Sequence, residues 1–388
     1  MIDITGSQNP ANVEDEIRQV VAAPGERLRL PVRPHEWWLG GELALIELAI
    51  TWARNTENSV LATHVPPADN PTAEDPAGQL ASMARRMFGF VALMMAQEIL
   101  DRTQDPNRSL RPNAYDQCRQ VVEKMFRPIS EFDLGDKVFL ICVDHSTQWK
   151  IPSLYSDLEN VRDLIAFTVL ARELLERTKL KKSLPSPVPE QSIRRIGAIL
   201  HELFENTDKF AKTDHDEVPW RRSVRGLSVE GHGKSEDQLT RIGKGNAALQ
   251  GYFESVKKKK AQTLQHFLEI TVFDSGIGLA RRWLKANWSR QLKLEDEYAA
   301  CMACLTKNST SAPERGRGLG LAEVMTILNN LDGFLKLRTG RLSLYRDFAT
   351  KHLQSPTDVE LRDFPSCSAV LTELAAVFGT HYQILIPV

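Results

Sequence analysis

The sequence predicts an α/β protein in two parts. Residues 1–183 form a helix-rich, mixed α/β region, and residues 192–388 an α/β sandwich with helices on one face of a sheet. Three observations lead there. At 388 residues the chain is long for a single domain, so two are expected. The stretch Lys181–Gln191, KKSLPSPVPEQ, puts three prolines and a basic pair between two helical patterns, which makes residues 184–191 a Pro-rich linker. Beyond it, helical and strand periodicities alternate, as they do when helices stack on a sheet.

Glu26–Val32 alternates like a strand, Glu42–Arg54 has the helical period, and Ser59–Val65 is a second strand. Pro66–Pro76 holds four prolines and is a loop. Gln79–Arg102 reads as one long amphipathic helix. Within it, Met87–Ala96 is the longest uncharged apolar run, too short to span a bilayer and therefore a buried helix. Asn113–Phe126 is a further helix, and Lys137–Val143 a short apolar strand leading to His145. Leu154–Lys179 is a long helix whose Leu and Ile stripe calls for a partner helix. After the linker come a helix to Ala211, a polar stretch Lys212–Gly245, a helix ending in Lys257–Lys260, and the strand Phe267–Phe273. A variable segment Arg281–Pro313, a glycine loop, a helix to Leu331 and a strand near Phe334–Arg338 follow. A helix near Ser368–Val377 and the strand Tyr382–Pro387 close the chain.

Charged residues make up 26% of the chain and the net charge is −1, so no overall field draws in nucleic acid or an anionic membrane. The Lys257–Lys260 run, beside Tyr252 and Phe253, lacks a spread of aromatic platforms and reads as a solvated helix end. Nucleic acid is thus a disfavoured partner, without being ruled out. The N-terminus, MIDITGSQNP, has neither the basic nor the apolar part of a signal peptide. Five scattered cysteines (Cys118, Cys142, Cys301, Cys304, Cys367) make no disulfide framework. Cys301 and Cys304 form a CxxC on an expected helix with no second metal-ligand pair nearby, which favours packed thiols. A cytoplasmic setting with no membrane attachment is expected. His145 in CVDHS has no identifiable Ser or acid partner for nucleophilic work, and Trp37 and Trp38 are an interface anchor or core.

Three blocks carry chemistry. In HELFENTDKFA, His201–Ala211, turning the helix at about 100° per residue puts Ile193, Ile196, Leu200, Leu203, Phe204 and Ala211 on one stripe. Glu202, Asn206 and Lys209 fall on the opposite side within an arc of roughly 60°. A carboxylate that can polarise water, a neutral oxygen suited to a nucleotide-bound Mg²⁺, and an ammonium for phosphate therefore project together. In VFDSGIGLA, Val272–Ala280, Asp274 ends a β-rich run and Gly276 and Gly278 follow. A carboxylate there can accept from an exocyclic amine while glycines let a flat base approach the backbone. In ERGRGLGLAE, Glu314–Glu323, Gly316, Gly318 and Gly320 alternate with Arg317, Leu319 and Leu321 directly ahead of a helix. That arrangement is an anion cradle of backbone N–H groups and a helix N-terminus. A dinucleotide fold is disfavoured, since no GxGxxG follows a first strand and no acid stands in place for a ribose; a Walker loop is also missing.

In order and composition these blocks resemble the GHKL ATP-binding family of gyrase, Hsp-ninety-type chaperones, histidine kinases and MutL. The resemblance covers about Ser192 to Val388. Glu202 and Asn206 match the N box, Asp274, Gly276 and Gly278 the DxGxG box, and Gly316, Gly318, Gly320 and Leu321 the GxGxGL box; GTHYQILIPV is similar to the family's last strand. The resemblance implies a Bergerat-type sandwich with a mixed sheet, a Mg-ATP site and a lid near residues 281–315. It implies that Asp274 binds the adenine amine, Asn206 the Mg²⁺, Glu202 the attacking water, and the glycine loop with Arg317 and Leu319 the phosphates.

Lys209, three residues after Asn206, is similar to the histidine-kinase N box, yet no phospho-accepting H box is found, because His201 belongs to the N-box helix. The region Lys212–Gln265 is also longer and more charged than in typical histidine kinases, and no transducer domain is expected in cis. The expectation is an ATP hydrolase whose nucleotide state switches the lid and an N-terminal region that binds or regulates a protein partner. The alternatives are a histidine-kinase-like protein kinase acting in trans and a nucleotide-gated binding protein with little turnover. Homodimerisation is left open, with Leu154–Lys179 as the surface on offer.

Overall fold

The computed structural model describes residues 1–4, 10–32, 39–65, 76–132, 137–145, 149–178, 180, 184, 186–260, 263–306, 320–355 and 359–388. Trp37, Trp38, most of the Pro66–Pro76 loop, part of the linker, and Gly316, Arg317, Gly318 and Leu319 lie outside the described residues.

Two sheets organise the chain. β1 (Ile2–Asp3), β2 (Leu28–Leu30), β3 (Val60–Thr63) and β4 (Glu98–Leu100) form a parallel sheet in that order. Parallel neighbours need a crossover after each strand. These are α1 (Pro10–Ala22), α2 (Gly41–Asn55), and the pair α3 (Pro76–Ala84) and α4 (Met87–Met95). After α5 (Arg111–Met125) the second sheet begins with β5 (Lys137–Val143). It has seven strands in the order β10 (Arg362–Asp363), β9 (Leu342–Asp347), β8 (Phe334–Gly340), β11 (Val377–Pro387), β7 (Leu264–Asp274), β6 (Val224–Ser235) and β5.

The expected mixed sheet is corrected: all six pairings in the second sheet are antiparallel. β8 and β9 make a tight hairpin about Gly340, whose φ of 53° suits glycine, and so cannot be parallel. The expectation of helices on one face is corrected too. α6 (Leu164–Arg177), α7 (Glu190–Phe210) and α12 (Gly320–Asn330) pack on one side. α2, α4 and α9 (Ala247–Lys259) pack on the other. Ten of the eleven β7 residues are buried, the mark of a strand covered on both faces.

The first part of the chain supplies that second cover. α2 is buried from Leu43 through Trp52 on every side, with α1 and α4 beside it and β11 beneath. The Phe378 N–H donates to Thr51 Oγ1 at 3.2 Å, and Arg338 of β8 reaches Glu14 of α1 at 2.8 Å. β5, which precedes the linker, is an edge strand of the second sheet, and α6 packs on α7. One apolar core runs through both parts of the chain.

Several expected elements are revised. Gln79–Arg102 is not one helix but α3, α4 and β4; the chain breaks at Arg85–Arg86, and α4 crosses α3 so closely that a Cβ on Gly89 would lie 2.2 Å from the Met83 carbonyl. The Met87–Met95 run is a fully buried helix, as expected. Leu154–Lys179 is helical only over α6. Ahead of it the Asp157 carboxylate accepts from the Glu159 and Asn160 N–H groups in a turn, and Asp163 caps Ala166. The polar stretch Lys212–Gly245 contains β6 and α8 (Glu236–Gly243); Gly226, Gly231 and Gly233 diluted the strand signal. The variable segment holds α10 (Leu279–Leu284) and α11 (Leu294–Leu305). Ser368–Val377 is not helical, because Asp363 accepts from the Ser366 and Thr372 N–H groups and Ser366 accepts from Ser368. Cys301 is buried in α11 and desolvation pushes its thiol well up, as packed thiols require. Among the described residues no helix is long and apolar enough to cross a membrane.

A fragment starting at Ser192 lacks β5, α6 and α2, leaving the β6 edge and the α7 surface bare. It is expected to show no cooperative thermal transition, whereas the full chain shows one; a sharp calorimetric melt of the fragment would contradict this account.

Candidate functional site

α7 buries Ile196, Leu200, Leu203 and Phe204, and leaves Glu202 and Asn206 half-buried on another side. That side meets the first residue of α12. A Cβ on Gly320 would lie 2.4 Å from Glu202 Oε2 and 3.8 Å from Asn206 Nδ2. The first and third blocks therefore touch, and a side chain at position 320 would have to displace the Glu202 carboxylate. Leu321 packs against the core, while residues 314–319 of the third block lie outside the described residues. His201 Nδ1 is 3.3 Å from Glu202 Oε1. Lys209 instead pairs with Glu205 at 2.6 Å.

The second block sits at the other end of α7. Asp274, the last residue of β7, is buried, and its Oδ1 accepts from the Gly276 N–H at 2.8 Å and the Thr380 N–H at 3.2 Å. Both donors use Oδ1, so Oδ2 has no protein donor among the described residues. Burial pushes this carboxyl up to about 6, against the opposing pull of the two N–H donors, Arg225 and Arg282. A Cβ on Gly276 would come 2.8 Å from Ala211 Cα, so the loop rests directly on the end of α7. Gly278, at φ 85°, presses on Thr339, and the Gly379 N–H donates to the Gly276 carbonyl at 2.7 Å. Ala211 lies nine residues beyond Glu202, which is about 13 Å along the helix axis. Along α7 a buried carboxylate thus lies at the C-terminal end, and the N-terminus of α12 lies beside Glu202 and Asn206.

Of the stretch expected as a lid, residues 294–305 form α11, anchored where Arg341 Nε meets the buried Glu297 at 2.6 Å; residues 307–319 lie outside the described residues. Among the remaining candidates, His145 is exposed just after the end of β5, and desolvation with Arg222 and Arg111 lowers it to about 4, leaving a neutral ring at neutral pH. Lys257 pairs with Glu236 and Lys259 lies 2.6 Å from Asp332, and residues 257–259 are exposed, the expected solvated helix end.

Sequence reasoning missed two groups. Arg54, at the end of α2, donates from Nε and Nη2 to the Ser275 carbonyl at 3.0 and 2.9 Å, with its guanidinium 3.8 Å above the Trp220 ring. No local pattern marks an Arg at a helix end as a loop clamp. The second is Arg225, fully buried on β6 and paired in register with Asp274. It meets Asp144 at 2.8 Å and Asp208 of α7 at 2.9 Å, and it lies over Phe204 at 5.2 Å. Tyr155 donates to Asp208 at 2.5 Å, and Ser223 to Asp144 at 2.7 Å. Burial works against the Asp208 charge, yet Arg225, Tyr155 and Lys212 hold its carboxyl below the usual range. A charged residue inside an apolar strand would have flagged Arg225 had β6 been recognised.

No protein-family model, no curated protein and no solved structure matches the chain.

Replacing Arg225 by Met takes the fully buried cation away from Asp144 and Asp208 and leaves Asp208 only Lys212. The expected loss is about 3–5 kcal/mol of unfolding free energy by urea titration at pH 7. A loss below about 1 kcal/mol, the worth of an exposed pair, would contradict the role given to it.

Proposed function

We propose that the chain is a Mg-ATP-binding ATPase of the GHKL type, with the side of α7 that carries Glu202 and Asn206 as its nucleotide site and a Bergerat-type sandwich as its scaffold. One observation carries this reading. The three blocks, separated by tens of residues, converge on a single helix, with Gly320 against Glu202 and Asn206 and Gly276 against Ala211. The polarity also suits the ligand. A nucleoside triphosphate has an amine-bearing base at one end and phosphates at the other. This side of α7 has an amine acceptor at Asp274 and a helix N-terminus, with its partial positive charge, at Gly320.

In this reading the adenine amine donates to Asp274 Oδ2, and the glycines at 276 and 278 leave space beside it. Asn206 lends one neutral oxygen to Mg²⁺, which keeps phosphate oxygens and waters for the rest of its shell. Glu202 takes a proton from water as it attacks the terminal phosphate. The Arg54 clamp on Ser275 ties the base end to α2, so occupancy of the loop is felt by the N-terminal layer. Lys209, engaged with Glu205, is not committed to phosphate, which weakens the one feature favouring phosphotransfer to a protein.

ATP binding followed by calorimetry, together with phosphate release, tests the proposal. Glu202→Ala is expected to keep binding and lose turnover by about 10²–10⁴-fold, as removal of a general base does. Asp274→Ala is expected to lose binding. Undiminished turnover in Glu202→Ala would remove the hydrolase reading, and labelled phosphate passing to a protein would replace it with a kinase.

A pH dependence follows from Asp274. The amine donates to the ionised carboxylate, and this group is ionised above about 6 in the free protein. Affinity for ATP is therefore expected to hold from pH 8 to 7 and to fall as pH drops through about 6. Asp274→Asn should bind more weakly and lose that dependence; identical pH profiles for both proteins would contradict the assignment.

A further inference from the structure

A second cluster of chemistry-bearing side chains lies on the sheet face opposite α7, and the nucleotide reading does not use it. We propose that Glu230, His232 and Glu269 form a binding site for a divalent transition-metal ion such as Zn²⁺.

The strand register builds the cluster. Glu230 of β6 stands directly opposite Glu269 of β7, and His232 follows two residues on, on the same face. Like charges directly opposite on neighbouring strands repel, and here Glu269 is buried. Lys137 Nζ is 2.6 Å from Glu42 Oε2 and 3.7 Å from Glu230 Oε2. Lys137 thus pairs with Glu42 and Glu230, and Arg85, Arg86 and Lys234 line the same cavity.

Surrounding donors aim the carboxylates. The Gly40 N–H and Gln383 Nε2 each donate to Glu269 Oε1 at 2.9 Å, and its Oε2 is turned toward His232 Nε2 at 2.8 Å. Lys137 approaches Glu230 at Oε2, while Oε1 lies 3.9 Å from His232 Nδ1. One ligand atom from each of the three residues lies within 4.8 Å of the others. Outer hydrogen bonds that occupy one carboxylate oxygen and present the other are the usual support of a metal ligand. In front of the cluster opens a cavity of about 490 Å³, lined also by Leu43, Met87 and Phe139. It leaves room for water or a small ligand in the remaining coordination positions.

The donor set selects the ion. An imidazole with two carboxylates suits Zn²⁺, Mn²⁺ or Fe²⁺, whereas Mg²⁺ prefers oxygen alone and belongs with a nucleotide. Asp214, His215 and Asp216 also cluster, but on a turn where His215 and Asp216 are exposed to solvent. The other triad, His201, Glu202 and Glu205, lies on α7 and serves as the internal control.

The test titrates the full chain, free of nucleotide, with Co²⁺ as a visible-absorbing stand-in and Zn²⁺ as competitor. One equivalent of Co²⁺ is expected to give d–d bands that Zn²⁺ abolishes. Binding should weaken at least about tenfold in His232→Asn and in Glu230→Gln, since even outer-shell losses cost that much. It should persist in Glu202→Gln. Thermal melts confirm folding, and Glu230→Gln, at a half-buried position, keeps the test readable should the His232 variant unfold. Absence of a bound equivalent, equal affinity in Glu230→Gln, or loss in Glu202→Gln would each overturn the proposal, leaving an internal His–Glu ion pair or a site on α7. ATP binding is not read here, so failure of this site and failure of the nucleotide reading are separable.

Discussion

Arg225 is the constraint on which the rest of the site depends. A guanidinium cannot shed its charge, so burying it obliges the fold to bring carboxylates to it. Asp144 comes from the end of β5, Asp208 from the last turn of α7, and Tyr155 from the segment between β5 and α6. The interaction therefore locks an edge strand, a loop and the principal helix into one arrangement. α7 cannot slide or rotate on the sheet without separating Asp208 from Arg225. The position of Glu202 and Asn206 over the α12 N-terminus follows from that lock. Such a buried network adds less net stability than its contacts suggest; it chiefly excludes alternative packings, because every misplacement strands a charge.

A second constraint is the sharing of one cover between two sheets. α2 is a crossover of the parallel sheet and also a lid on the antiparallel one, so its apolar surface leaves no solvent face. Its last turn carries Arg54 to Ser275, one residue from Asp274, and Thr51 to the Phe378 N–H at the start of β11. The Asp274 loop at the end of α7 is thus held by residues more than two hundred positions earlier in the chain. A shift in the Asp274 loop would strain contacts inside a close-packed layer, and such layers answer strain by moving as units.

Elements with a strong local signal were legible: α2, α4, α5, α7 and α9 from their period, β7 and β11 from their apolar runs. Those that sequence misread share a cause. β6 carries three glycines and three charged residues, and becomes a strand because β5 and β7 flank it. The expected helix at Ser368–Val377 yields to side chains that compete for its backbone donors, and the turn before α6 does the same around Asp157. Boundaries and pairings of this sort are decided by partners distant in the chain, which no window of residues contains.

The same division holds for the site. By itself the sequence determined the chemical inventory: a carboxylate and an amide one turn apart, an acid at a strand end before two glycines, and a glycine-rich entry to a helix. Helical period and residue type suffice for that, because both act over a few residues. Tertiary structure alone decided that these pieces meet along α7, that Lys209 turns to Glu205, and that Asp274 is buried enough to titrate near 6. It alone set Arg54 and Arg225 behind the site, and Glu230, His232 and Glu269 together on the far face. These are matters of strand register, burial and charge pairing between distant segments, and they exist only once the chain has closed on itself.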